Sequence, residues 1–309
     1  MIKNIINKIN SKTSSLCLID EPLKKYTTYG IGGPAELMIF PKNKRDLINT
    51  IKIINDNKME LTILGSGSNI LVSDNGIKGA VISLKKTLKN VEVSGNNLYA
   101  ECGARLGKIV RLAVKNNLIG LENLNGVPGT LGGALIMNAG AWGGEISENL
   151  VCVELINSKN EIKKISKNDI NFSYRKSSFD KNDILLSADF NLKKAKEDII
   201  SENFVKAQTG RKNSQPLNKR SAGSLFKNPK NNSAGKLIDE AGLKGYSIGD
   251  AKISEKHANF FINDGKASSN DMLKLIKKAH DTVKEQFSIK LELEVKLMGF
   301  EENEIERLC

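Results

Sequence analysis

The chain has few of the residues that build metal sites or disulfide frameworks. It has four cysteines, Cys17, Cys102, Cys152 and Cys309, with no CxxC pair, and two histidines, His257 and His280. A zinc site of ordinary spacing is therefore excluded, and no metal is expected. The scattered thiols suit a reduced compartment better than a disulfide scaffold. No apolar run approaches the ~18 residues of a membrane-spanning helix. The opening stretch, Met1 to Asp20, alternates Ile with Lys and Asn and lacks the unbroken apolar segment of a secretory signal. A cytoplasmic, monomeric protein without a membrane span is expected. Arginine is also scarce, at 7 of the 47 basic residues. The formal net charge of +12 invites a nucleic-acid reading. Base recognition favours arginine forks, however, and these lysines are interleaved with Asn and Ile along the whole chain. The charge reads as a solvated lysine-rich surface with no nucleic-acid partner, on which a small anionic substrate can use a few cations.

What remains is a globular composition, 39% hydrophobic and 27% charged over 309 residues, enough for two or three domains. Residues 1–19 read as an amphipathic helix and connector. Strands are expected at Ala35–Phe40, Leu61–Leu64 and Ala80–Leu84. Between the first two, Leu47, Ile48, Ile51 and Ile54 recur at helical spacing over Lys44–Lys58. This is an α/β pattern. From Val91 the pattern turns mostly β, with a hairpin around Gly95-Asn96-Asn97, a helix over Leu106–Val114, a second hairpin around Ser158-Lys159-Asn160 and a strand over Ile184–Leu192. Lys193–Gly210 reads as a boundary helix. Beyond it come a short helix at Gly235–Ala241, a strand at Ala258–Ile262, and a helix capped by Ser268 or Ser269. That last helix carries Met272, Ile276, Ala279, Val283 and Phe287 on one stripe, with His280 beside it in a structural or surface role and not a catalytic one.

Two stretches are built for close approach of backbone to a ligand. In Ile63-Leu64-Gly65-Ser66-Gly67-Ser68-Asn69-Ile70-Leu71 a strand runs into a loop of small residues, whose N–H groups can cradle an anion. No Gly-Lys-Ser/Thr follows, so it is not a P-loop, and its spacing is not GxGxxG. The loop alone also fits a plain tight turn. In Gly126–Gly144, Gly, Ala, Thr and Asn fill most of nineteen positions. Glycine costs ~0.5–1 kcal/mol per position in regular structure, so such a density implies a need for close approach. A flat, extended cofactor lying on main chain supplies one.

The combination resembles the MurB family of UDP-N-acetylenolpyruvoylglucosamine reductases. Three segments resemble that family's FAD-binding blocks: Tyr26 to Ala35, Leu64 to Leu71 and Gly126 to Ala134. Three more resemble its active-site blocks: Phe172-Ser173-Tyr174-Arg175-Lys176-Ser177, Ser221 to Pro229, and Leu291 to Gly299. They fall in the family's order and span nearly the whole chain. The resemblance implies an α+β protein in three parts. Residues 1–85 and 86–198 would form a two-part FAD-binding fold of the vanillyl-alcohol-oxidase type, and 199–309 an α+β substrate domain. The short Ser173–Phe179 segment resembles the type that lacks an extra tyrosine loop, so no gating tyrosine is carried over.

The resemblance further implies NADPH-dependent, FAD-mediated reduction of UDP-N-acetylglucosamine enolpyruvate. It assigns FAD contacts to Gly32, to Gly65, Ser66, Gly67, Ser68, Asn69 and Ile70, and to Gly126, Pro128, Gly129, Thr130, Gly132, Gly133, Ala134, Asn138 and Gly140. Related folds attach flavin covalently through His or Cys, but neither lies in the matching segments, so noncovalent FAD is expected. Arg175 matches the catalytic arginine, whose guanidinium can grip a carboxylate with two parallel bonds. Ser224 matches the proton donor, with Lys227 a candidate neighbour to favour its alkoxide and Gly223 to present it. Glu294 matches the second acid/base residue. Read as a strand, Leu291, Leu293, Val295 and Leu297 would face the core, with Glu292, Glu294 and Lys296 on the polar face. Lys227, Asn228 and Lys296 are expected to bind substrate, and Tyr174 and Arg211 the diphosphate or NADPH. The rival reading is a flavin oxidase or dehydrogenase of the same fold acting on a small hydroxy acid or alcohol. The flavin loops admit it, whereas the Ser224 and Glu294 blocks argue against it.

Overall fold

The structure, a computed structural model, describes residues 2–306. Cys309 lies outside them. The chain forms two compact units. The first comprises residues 1–18, 37–66 and 80–210, and the second residues 19–36, 67–79 and 211–309.

In the first unit, helix Ile2–Lys12 buries Ile5 and Ile9. Helix Lys44–Asp56 buries Leu47, Ile51 and Ile54, and the Asn43 side chain caps it by accepting the Asp46 N–H at 2.8 Å. Both helices contribute to a core with Leu37, Ile39, Ala80 and Ile82. Those last residues belong to a four-stranded sheet ordered Leu16–Pro22, Pro34–Phe40, Ile77–Ser83, Leu61–Leu64. Its last two strands are parallel, with Leu61 opposite Ala80. The expected connector after the first helix is in fact strand Leu16–Pro22. Its apolar residues escape notice because Leu16 and Ile19 are about half exposed.

A second sheet in this unit is antiparallel, ordered Ile162–Ser166, Leu150–Ile156, Ile184–Asn191, Asn97–Glu101, Val91–Ser94. The hairpin at Gly95-Asn96 closes with Ser94 opposite Asn97. Helix Leu106–Lys115 buries Leu106, Ile109, Val110 and Ala113 in a core with Cys102, Leu131 and Phe190. Lys193–Gly210 is not one helix. Lys193–Lys194 pairs with Leu118–Ile119 as a strand, and the helix runs Glu197–Ser214. Long-range strand pairing overrides the helical preference of the lysines.

The second unit holds an antiparallel sheet ordered Arg220–Ser224, Phe260–Asn263, Ala251–Ile253, Ser247–Ile248. Helix Ser269–Phe287 begins with a capping box, Ser268 and Asp271 each accepting the other's backbone N–H. Met272, Ile276, Ala279 and Val283 are fully buried. Burial of each large side chain is worth ~1.5–3 kcal/mol, which fixes this helix against Phe261, Phe226 and Leu225 in one core. His280 is buried on the same stripe, its Nδ1 3.1 Å from Asp281. Ile70–Val72 pairs in parallel with Lys296–Met298, residues more than two hundred positions apart.

The continuous strand expected over Leu291–Leu297 is absent. Strand geometry begins at Lys296. Before it, Leu293 makes an isolated bridge to Phe226, and the Leu225 carbonyl accepts the N–H of both Glu294 (2.8 Å) and Val295 (3.3 Å). Bifurcated bonding to one carbonyl breaks the ladder, so Leu291 and Val295 are buried while Leu293 and Leu297 are only partly so.

Candidate active site

In the first unit the two glycine-rich stretches meet. A Cβ built on Gly65 would lie 2.4 Å from Thr130 Oγ1, so the loop after Leu61–Leu64 can rest on Thr130 only as glycine. Thr130 precedes the short helix Leu131–Ile136. Gly132 is packed on Cys102, whereas Gly133 has open space on its outer side, with only Thr130 Oγ1 within reach at 3.7 Å.

The Arg175 block is tied to the same stretch. Phe172–Ser173 and Lys176–Ser177 form a two-stranded hairpin with Tyr174 and Arg175 at its tip. Ser177 Oγ donates to the Ile136 carbonyl at 2.8 Å. Asn138 Nδ2 donates to the Ser173 carbonyl (3.1 Å) and to Glu145 Oε2 (2.6 Å). Arg175 donates through a guanidinium N–H to the Gly140 carbonyl at 2.9 Å, and its guanidinium carbon lies 5.0 Å from the Tyr174 ring centre. Arg175 has φ +55°, which is strained for a non-glycine residue. Packing and hydrogen bonds thus hold an arginine in a conformation it would not choose. Glu145, which takes the Asn138 amide, was not singled out by sequence, and a lone Glu in a Gly-rich stretch carries no signal.

In the second unit, Thr28 donates through its N–H and its hydroxyl to the Gly67 carbonyl, at 3.0 and 3.2 Å, which joins the Tyr26–Ala35 segment to the Gly65–Ile70 loop. Gly32 lines a cavity of about 880 Å³ with Thr27, Thr28, Lys24, Arg220 and Lys266. Asn69 reaches the Glu294 segment. Its Nδ2 donates to the Glu294 carbonyl at 3.1 Å, and its own carbonyl accepts the Lys296 N–H at 3.0 Å.

Ser224 ends strand Arg220–Ser224, opposite Phe260, after a register shift that begins at Ser221. Gly223 has φ +81° with nothing within 4 Å of a built Cβ, so glycine is there for the left-handed backbone and not for space. Beyond Ser224, Leu225 accepts from Glu294, and Lys227 donates its N–H to the Glu292 carbonyl at 2.8 Å. The segments bearing Ser224 and Glu294 are therefore bonded directly to each other. The Lys227 ammonium sits on the Glu292 carboxylate, so the cation suggested beside Ser224 is neutralised in part by a residue the sequence reading placed only on a polar face. Asn228 Oδ1 accepts the Ala234 N–H at 3.1 Å. Lys296 is exposed as a residue, yet desolvation lowers the pKa of its ammonium. Desolvation also lowers that of Arg211, half-buried in helix Glu197–Ser214, whose guanidinium takes no acceptor among the described residues.

The residues fit FAD. The backbone N–H groups of Ser66, Gly67 and Asn69 have no acceptor among the described residues, although Gly67 is buried. Asn138 is fully buried and its Oδ1 has no hydrogen-bond partner. Orphan donors of this kind suit a diphosphate, and an orphan buried acceptor suits a heterocycle N–H. Cys102 is fully buried, and burial pushes its thiol pKa far up, which disfavours the thiolate a nucleophile needs. Among the described residues, no three His, Cys, Asp or Glu side chains group to hold a metal, and no helix is long and apolar enough to cross a membrane.

Known proteins share both parts of this sequence. Residues 35–166 match the FAD binding domain family, and residues 215–298 match the C-terminal domain of UDP-N-acetylenolpyruvoylglucosamine reductase. The UDP-N-acetylenolpyruvoylglucosamine reductase of Caldanaerobacter subterraneus is 43% identical over 282 residues, covering 91% of this chain and 93% of that protein. That of Clostridium novyi is 41% identical, covering 97% and 96%. The crystal structure of the Thermus caldophilus enzyme (MurB) matches with a TM-score of 0.79 at 34% identity, covering 92% of this chain and 98% of that one. An α+β fold made of an FAD-binding domain and a MurB C-terminal domain, with this identity over nearly its full length, places the chain in the UDP-N-acetylenolpyruvoylglucosamine reductase family.

Proposed function

We propose that the protein reduces the enolpyruvyl ether of UDP-N-acetylglucosamine enolpyruvate to UDP-N-acetylmuramate, a step in peptidoglycan precursor synthesis, with NADPH as reductant. The observation that carries the reading is the direct bonding of the Ser224 and Glu294 segments through the Leu225 carbonyl. It joins two blocks that no flavin-binding role requires. Both co-substrates are soluble nucleotides, and the reaction belongs to the cytoplasm. The proposal keeps the three-part division, with residues 1–85 and 86–198 serving the flavin and 199–309 the substrate.

FAD, when bound, supplies the chemistry of accepting hydride from NADPH and passing it on. Gly32, the 65–70 loop, the 126–134 stretch, Asn138 and Gly140 would hold it noncovalently. The reaction adds a hydride to the terminal carbon of the C=C and a proton to its neighbour, consuming NADPH and one proton. Arg175 grips the substrate carboxylate, where charge from the reduced double bond accumulates. A fixed guanidinium stabilises that charge more than it stabilises the ground state. Ser224 donates the proton to the carbon next to the carboxylate. Glu294 serves as the second acid/base group. Lys227, Asn228 and Lys296 bind the substrate, and Tyr174 and Arg211 the diphosphate or NADPH. Desolvation of Arg211 and Lys296 suits this, because an anion returns to each cation the interaction that burial removes.

The test is stopped-flow absorbance of the flavin, with NADPH and then with substrate. Ser224→Ala should leave reduction by NADPH fast and slow reoxidation by substrate about 10²–10⁴-fold, the usual worth of a positioned acid. Equal slowing of both halves would remove Ser224 from proton donation. NADPH oxidation that does not depend on the enolpyruvyl substrate would defeat the reading altogether.

A further inference from the structure

The strand pairing that carries Ser224 ends at Ser224 itself, opposite Phe260. The chain must then turn into Leu225 and Phe226, which meet the Glu294 segment. One buried side chain takes over there. Asn259, 3% exposed, donates through Nδ2 to the Phe226 carbonyl at 2.8 Å and accepts the Phe226 N–H on Oδ1 at 2.9 Å. Its own carbonyl accepts the Leu225 N–H at 2.8 Å. Leu225 in turn accepts the Glu294 N–H at 2.8 Å. Asn259 is itself held from behind, its N–H donating to His257 Nδ1 at 3.2 Å.

An amide is the side chain this place demands. It faces both an N–H and a C=O of the same residue, so it must accept and donate at once. A carboxylate would face the Phe226 carbonyl, and an apolar side chain would leave both Phe226 groups buried without partners.

We propose that Asn259 is a positioning residue for the proton-transfer step. It sets where Ser224 and Glu294 stand by fixing the two residues that connect them. This rests on the roles given above to Ser224 and Glu294. Asn259 touches neither hydroxyl nor carboxylate and acts through residues 225 and 226.

The experiment compares Asn259→Asp, which is nearly isosteric and removes the donor to Phe226, with Ser224→Ala and the double variant, all in the FAD-loaded full chain. Asn259→Asp should slow flavin reoxidation by the enolpyruvyl substrate about 10–100-fold, the effect of a small misplacement, while reduction by NADPH stays within about twofold. Its solvent deuterium isotope effect on reoxidation should rise as proton transfer becomes more limiting. Adding Asn259→Asp to Ser224→Ala should slow reoxidation by less than about threefold more, since residues acting as one unit are not additive. A merely structural role would slow both halves alike, or multiply fully with Ser224→Ala, and either result overturns the proposal. Should Asn259→Asp lose FAD, Asn259→Ser, which keeps a small polar group, is judged by the same ratio of half-reactions. If Ser224→Ala alone leaves reoxidation unchanged, the roles assigned above fail, and this inference with them. If Ser224→Ala slows it and Asn259→Asp does not, only this inference fails.

Discussion

Removing the side chain of Asn138 should loosen the junction between the glycine-rich stretch and the Arg175 hairpin, by an amount the structure sets. Asn138 is fully buried at φ +42°. Its bond to the Glu145 carboxylate is worth ~1.5–3 kcal/mol and its bond to the Ser173 carbonyl ~0.5–1.5 kcal/mol. Asn138→Gly loses both bonds but suits the positive φ, so it should destabilise by about 2–4 kcal/mol. Asn138→Ala loses the same bonds and adds left-handed strain of ~1 kcal/mol or more, for about 3–5 kcal/mol in all. Urea denaturation of the FAD-free and FAD-loaded proteins measures both. The stabilisation that added FAD confers should shrink in each variant, because the buried Oδ1 acceptor goes with the side chain. An alanine variant within about 1 kcal/mol of the parent, or one more stable than the glycine variant, would refute the bond and strain assignments together.

Arg175→Lys should keep FAD while kcat/KM falls about 10²–10³-fold, because a lysine cannot make the paired grip on a carboxylate. Near-normal turnover in steady-state NADPH oxidation would take Arg175 away from the reacting group. His257 has its pKa lowered from the ordinary 6.5, chiefly by desolvation, so the unfolded chain takes up its proton first as pH falls. Its contribution to stability is present in full above about pH 6.5 and is lost as pH falls through the lowered folded value. His257→Gln should therefore flatten the dependence of stability on pH below 6.5, and an unchanged slope in urea titrations would contradict this. Cys102 should resist iodoacetamide at pH 8 in the folded protein, since burial keeps its thiol protonated. Rapid carboxamidomethylation found by peptide mass mapping would show that the core around it opens.

Much of the local structure can be read from sequence because its causes are local. A serine, Ser268 or Ser269, lies where a helix start needs an acceptor, and the structure uses Ser268. The stripe Met272, Ile276, Ala279, Val283 has helical period whatever it packs on. The glycine stretches stand out as motifs, whereas Arg175, Ser224 and Glu294 stand out only through the resemblance of their blocks to the family. Three features depended on distant partners. Leu16–Pro22 is a strand although Leu16 and Ile19 are about half exposed, because neighbouring chain supplies its ladder. Alternation over Leu291–Leu297 looked like a strand, yet the Leu225 carbonyl takes two successive N–H groups and breaks it. Asn259 and Glu145 are polar residues of common type, and what they bond is decided by chain brought in from 33 and 7 positions away. Periodicity and caps belong to the residues themselves. Which buried donor meets which acceptor belongs to the packed chain, because a buried polar group left unpaired costs about 1–3 kcal/mol and the fold must settle every such pair at once.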